Sequence, residues 1–99
     1  MGMTGKKIPF TESNVNGSPD KPGVYLLFDG DVLIYIGQSE ESIRDRLQSH
    51  LAGNDGPCTQ GATHYMRETC SDPVAREEEL LREFKRQHGR LPRCNERIG

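Results

Sequence analysis

No apolar run in the sequence approaches the length needed to span a bilayer, and Met1 to Phe10 carry Lys6 and Lys7 without the apolar stretch a secretory signal requires. No contact with a membrane is expected, and the cytoplasm is the default location. Cysteine is scarce: Cys58, Cys70 and Cys94 are odd in number and form no CxxC pair, which argues against a disulfide framework and against a zinc knuckle. Reduced thiols are therefore expected. Bulk positive charge is missing too, since 13 Lys and Arg face 15 Asp and Glu for a net charge of −2. Composition alone thus gives no argument for phosphate affinity. A Gly-rich loop followed by lysine is also lacking, and nucleotide binding of the P-loop kind is set aside.

What remains is a chain of 99 residues, 32% apolar and 28% charged, enough for one domain with a thin core. Residues 1–20 are rich in Gly, Ser, Asn, Pro and Lys and read as a flexible lead-in, with the domain over 21–99. Two apolar runs, Gly23 to Phe28 and Val32 to Ile36, flank Asp29-Gly30-Asp31 and predict a β-hairpin. Ser42 is placed to cap a short amphipathic helix carrying Ile43, Leu47, His50 and Leu51, which ends near Ala52-Gly53. Residues 53–61 read as a surface loop, and Thr63 to Cys70 as a third strand. Asp72-Pro73 starts a second helix that should stop at Gly89, with Val74, Leu80, Leu81 and Phe84 facing inward. The expected architecture is α/β: a small antiparallel three-stranded sheet flanked by helices.

Register bears on chemistry, because a slip of one residue sends every side chain of a strand to the opposite face. A three-residue hairpin loop would pair Phe28 with Val32 and set Tyr25 directly opposite Tyr35. A two-residue loop would put Tyr25 across from an isoleucine. The three-residue loop is the expectation.

Gly23-Val24-Tyr25 and Tyr35-Ile36-Gly37, followed by Ile43-Arg44-Asp45-Arg46-Leu47, a glutamate-bearing helix and Pro92-Arg93-Cys94-Asn95, form an ordered set spanning residues 22–95. In this order they resemble the GIY-YIG nuclease family, and within it the N-terminal incision domain of the excinuclease and the small free-standing members. The resemblance implies a metal-dependent endonuclease that hydrolyses phosphodiester bonds in nucleic acid, with DNA ranked ahead of RNA and the choice between them left open, in a setting such as DNA repair, with Mg2+ or Mn2+ as cofactor. It also implies site residues Tyr25, Tyr35, Arg46 and Glu77, with His50 and Asn95 as secondary members.

Those residue types suit the reaction on chemical grounds, since a water must lose a proton while the phosphoryl group gathers negative charge. Tyr25 is the expected general base, provided that its phenol pKa falls beside a cation, and Tyr35 orients the water or shares the role. Arg46 offers a permanently charged planar fork to phosphate oxygens. Among Glu77, Glu78 and Glu79, Glu77 falls on the inward stripe and is the expected metal ligand, because a carboxylate there calls for a cation. Glu78 stands second, since the longer spacing to Asn95 leaves the alignment open.

Singly, each residue has a plainer reading: core aromatics for the tyrosines, a solvated arginine, a glutamate near a helix start, a half-buried structural histidine. The competing function is a non-catalytic nucleic-acid- or protein-binding module on the same scaffold. A local basic face of Arg44, Arg46, Arg67, Arg82, Arg86, Arg90, Arg93 and Arg97 would guide phosphate despite the net charge, and a protein partner would supply specificity.

Overall fold

Four strands, not three, form an antiparallel sheet among the described residues of the computed structural model, which are residues 5–95. Arg97 of the expected basic face lies outside them. In chain order the elements are β1 (Ile8–Pro9), α1 (Glu12–Asn16), β2 (Gly23–Asp29), β3 (Val32–Ser39), α2 (Ile43–Leu51), α3 (Pro57–Gln60), β4 (His64–Thr69) and α4 (Pro73–His88). The strand order is β1-β4-β2-β3, which leaves β3 at an edge. The additional strand is β1, paired through Ile8 with Tyr65. It comes from the stretch expected as a lead-in, which also supplies the buried Phe10 and Val15. A strand of two residues and a helix of five are too short for periodicity to reveal them.

Local chemistry sets the longer helices. The Ser42 side chain accepts from the Asp45 N–H at 3.1 Å and caps α2. Asp72 does the same for α4 through the Ala75 N–H at 3.2 Å, with Pro73 in the first turn and Gly89 closing the helix. Helices cover both faces of the sheet. On one face Val15, Ile43 and Leu47 pack with Tyr25, Leu27, Ile34, Tyr35 and Tyr65. On the other, Leu80, Leu81 and Phe84 of α4 pack on Val24, Leu26, Ile36 and Met66. The inward stripe of α4 is centred on Leu80 rather than Val74, which is 38% exposed.

The hairpin register differs from expectation. Asp29 pairs with Val32, so only Gly30 and Asp31 link the strands. Left alone, that two-residue link would have set Tyr25 opposite Ile36 and the two tyrosines on opposite faces. A β-bulge between Leu27 and Phe28 of β2 opposite Leu33 and Tyr35 of β3 absorbs one residue, Ile34. Beyond it, Tyr25 faces Gly37 and Tyr35 faces Leu27, not Tyr25. Parity is restored, and Ile34 and Tyr35, adjacent in sequence, pack in the same cluster. The Cys94 N–H donates to the Ile34 carbonyl at 2.9 Å, giving the bulged residue a partner from the tail.

The thiols also differ from expectation. Cys58 and Cys94 form a disulfide, with their Cα atoms 5.8 Å apart, and Cys70 is free. Two cysteines 36 residues apart carry no spacing signature, so only the fold brings them together. The bond removes the thiol state as an argument for a reducing compartment. No helix among the described residues is long and apolar enough to cross a membrane.

Candidate active site

Gly37 explains how the tyrosines approach each other. An added Cβ there would lie 2.4 Å from Tyr25 Cζ, 2.5 Å from its hydroxyl and 2.7 Å from Tyr35 Cε2. The space over the glycine is therefore filled by the two rings, whose centroids are 6.2 Å apart. Gly23 serves the backbone instead, since a Cβ there would meet the Glu68 carbonyl oxygen at 2.2 Å. Gly37→Ala is expected to push both rings from their places at a cost of about 1–3 kcal/mol. Urea unfolding checks the loss, and an unchanged midpoint would contradict this packing.

α2 brings its own contribution to the same face. His50, 1% exposed, meets the Tyr25 ring edge-on and lies tilted against Tyr35, with ring centroids 5.4 Å and 5.0 Å away. Its Nε2 is 2.8 Å from the Tyr25 hydroxyl, and its Nδ1 is 2.9 Å from Thr59 Oγ1. One turn earlier on the helix, Arg46 Nη2 donates to Asp55 Oδ1 at 3.2 Å. Ser49 Oγ donates to Asp55 Oδ2 at 2.8 Å. Tyr35, Arg46, His50, Asp55, Thr59 and the disulfide line a pocket of about 460 Å³.

Ionisation in this cluster follows from burial. Desolvation pushes the Tyr25 hydroxyl well above the ordinary phenol range, helped by Tyr35 and opposed by Arg46. Tyr35 is raised for the same first reason, with Arg46 opposing and the charge of Glu77 adding to the rise. The nearby guanidinium therefore eases tyrosine ionisation without bringing either phenol below its usual value. His50 is pulled down to about 4, chiefly by burial, with Asp55 resisting and Arg46 contributing. Its imidazole is neutral at pH 7, and burial makes it a weak base.

Asn95 and Glu77 are not among the residues that line this pocket. Asn95 pairs with the backbone of the edge strand: its Oδ1 accepts from the Ile36 N–H and its Nδ2 donates to the Ile36 carbonyl, both at 2.9 Å. It steadies β3 between Tyr35 and Gly37. Glu77 is half-buried on α4, while Glu78 and Glu79 are exposed, and Glu79 pairs with Arg76. Burial first, then Glu78, raises the Glu77 carboxyl above its ordinary pKa. Among the described residues, no group of three or more His, Cys, Asp or Glu side chains gathers as a ready metal cage.

Asp55, Thr59 and Ser49 are the members that sequence reasoning missed. Asn54-Asp55-Gly56-Pro57 reads as an ordinary turn, and no spacing signal ties it to α2. Acidic partners also sit on three arginines of the expected basic face: Arg44 pairs with Asp20 at 3.0 Å, Arg46 with Asp55, and Arg93 with Asp29 at 2.9 Å.

Compared with known proteins, residues 2–87 match the family model described as a domain of unknown function, DUF7508. A comparison with curated proteins returns no match. Among solved structures, the chain is similar to the GIY-YIG N-terminal endonuclease domain of UvrC from Thermotoga maritima bound to its catalytic divalent cation, magnesium. The TM-score is 0.61 at 20% identity, over 85% of this chain and 98% of that one. A point mutant of the same domain, likewise bound to its catalytic divalent cation, aligns with a TM-score of 0.61 and 20% identity over 85% and 97%. With the tyrosines, arginine and histidine on one face of an antiparallel sheet, the chain belongs to the DUF7508 family and has the fold of a GIY-YIG endonuclease domain.

Proposed function

We propose that this domain is a metal-dependent endonuclease that hydrolyses phosphodiester bonds in nucleic acid, with DNA as the expected substrate. The observation that carries the reading is the gathering of Tyr35, Arg46 and the neutral His50 around one pocket, with the buried Tyr25 hydrogen-bonded to His50. In this proposal Arg46 binds a phosphate oxygen and takes up the charge that develops on the phosphoryl group. His50 Nε2 hydrogen-bonds the Tyr25 hydroxyl at 2.8 Å and orients it, and because burial raises the phenol and lowers the imidazole, neither group is a standing base before substrate and cation are bound. Tyr35 orients the attacking water, and Asn95 holds the strand that presents it.

In this reading one carboxylate, that of Glu77, is the protein's donor to Mg2+ or Mn2+, since no group of three or more ligating side chains gathers among the described residues. Glu77 would hold the cation together with waters and substrate phosphate, and the half-buried carboxylate, whose ionisation burial disfavours, gains a counter-charge from it. When bound, such a cation supplies electrophilic stabilisation of phosphate charge. The acidic partners on Arg44, Arg46 and Arg93 favour one alternative, a binding module without strong phosphate affinity.

Cleavage of a panel of duplex, single-stranded and branched nucleic acids, with and without Mg2+, decides between them. Weak cleavage that needs the cation and falls steeply with salt is expected. Glu77→Gln should reduce it to background with the fold intact, because the amide keeps the shape without the charge. Activity retained in that variant, or in excess chelator, would rule out the metal-dependent mechanism. No cleavage of any substrate would favour the binding module or a required protein partner.

A further inference from the structure

We infer that Asp55 is a positioning residue, holding the Arg46 guanidinium and selecting the His50 tautomer whose bare Nε2 faces the Tyr25 hydroxyl. This deepens the nuclease reading, and only its kinetic part rests on that reading. A neutral imidazole carries one N–H for two nitrogens. Here both nitrogens face hydroxyls, Tyr25 at Nε2 and Thr59 at Nδ1. A hydroxyl either donates or accepts, so these two contacts leave the tautomer undecided. The Asp55 carboxylate breaks the tie. Its Oδ2 lies 3.5 Å from Nδ1, and an ionised carboxylate is only an acceptor. It attracts an N–H at Nδ1 and repels a lone pair there. The proton is thus assigned to Nδ1, Thr59 Oγ1 accepts from it, and Nε2 is left to accept from the Tyr25 hydroxyl.

The segment between α2 and α3 is shaped to aim that carboxylate back at the helix. The Asn54 N–H donates to the Ser49 carbonyl at 3.0 Å, and the Gly56 N–H donates to the Gly53 carbonyl at 3.2 Å. Gly53 and Gly56 have φ of 83° and 101°, which side-chain-bearing residues rarely adopt. The turn thus sets Asp55 between Arg46 and Ser49, with each carboxylate oxygen accepting one hydrogen bond. The second oxygen is the one directed toward the imidazole. Carboxylate orientation of a buried histidine is a recurrent way of setting which ring nitrogen carries the proton. The charged and titratable groups around His50 are Asp55, Arg46, Tyr25 and Tyr35, and Asp55 is the one acceptor-only group among them.

Two-bond ¹H–¹⁵N correlation of ¹⁵N-histidine-labelled full chain at neutral pH reads the tautomer directly. The unmodified protein should show His50 protonated at Nδ1. Asp55→Asn offers an amide that donates as readily as it accepts, so the Nε2–H form should appear. Asp55→Glu, which keeps the carboxylate, should preserve Nδ1–H. In the cleavage assay kcat should fall about 10–100-fold for Asp55→Asn, the usual scale for losing a partner that orients a site residue, with partial recovery in Asp55→Glu. An Nε2–H tautomer in the unmodified chain, or an unchanged tautomer in Asp55→Asn, would overturn the inference. If the unmodified chain cleaves nothing, the nuclease reading fails and the tautomer result still decides this assignment.

Discussion

Reducing the Cys58–Cys94 disulfide should lower the stability of the domain by about 3–4 kcal/mol, because the bond removes the entropy of a 36-residue loop from the unfolded chain. In a domain of this size that corresponds to a fall in Tm of roughly 12–30 °C. The core gives reason to expect the upper part of this range. Cys94 is itself buried in the cluster around Tyr25 and Tyr35, and its N–H supports the bulged Ile34. Thr59 follows Cys58 and contacts His50, while Asn95 follows Cys94 and holds Ile36. Opening the bond therefore loosens both walls of the pocket as well as the chain ends it joins. Thermal unfolding with and without reductant measures the change, and Cys58→Ser with Cys94→Ser separates it from effects on the free Cys70. A Tm that does not respond to reductant would show that the bond contributes nothing to the folded state.

Acid should destabilise the domain well above the range where carboxylates titrate. An unfolded histidine takes up its proton near pH 6.5, whereas His50 in the folded chain resists until about pH 4. Between these values the unfolded state binds the extra proton. Stability is thus complete above about pH 7, declines as pH falls through 6.5, and levels off for this group near 4. The full difference is about 3 kcal/mol. Asp55, held below the usual carboxylate range by Ser49, His50 and Arg46 against the opposing effect of burial, adds a further loss at lower pH. The opposite sign applies at high pH, where an unfolded tyrosine ionises near 10 and the buried Tyr25 does not, so stability falls again. Urea midpoints between pH 7.5 and 4.5 measure the acid limb. His50→Gln should flatten it, and an equal slope in that variant would assign the effect to other groups.

Much of the architecture was legible because its causes are local. The hairpin followed from two β-rich runs around Asp29-Gly30-Asp31, and α2 and α4 from Ser42, Asp72, Pro73 and Gly89, whose side chains or backbone preferences act within a turn of the helix. The strand over His64–Thr69 followed from alternation. The ordered tripeptides around Tyr25 and Tyr35 pointed to the fold that the structural likeness shows. Less legible were β1 and α1, where a few residues gain their stability from tertiary burial of Phe10 and Val15 rather than from any repeat.

The sequence by itself therefore determined the hairpin, β4, α2 and α4, and which residue types are available for chemistry, but not β1, α1 or α3, which fall in segments read as lead-in and loop. Only the tertiary structure decided their relation in space. Counting loop residues cannot foresee that Ile34 bulges from the ladder, yet that single insertion returns Tyr35 to the face of Tyr25. Nor does spacing connect Cys58 with Cys94, or Asp55 with Arg46 and His50, since these contacts form where a loop folds back on a helix. Even the glycine of Tyr35-Ile36-Gly37 takes its meaning from the fold: the rings of Tyr25 and Tyr35 occupy the space its missing side chain leaves. Local propensity acts over a few residues, whereas register, cross-links and buried charge pairs depend on segments brought together by packing.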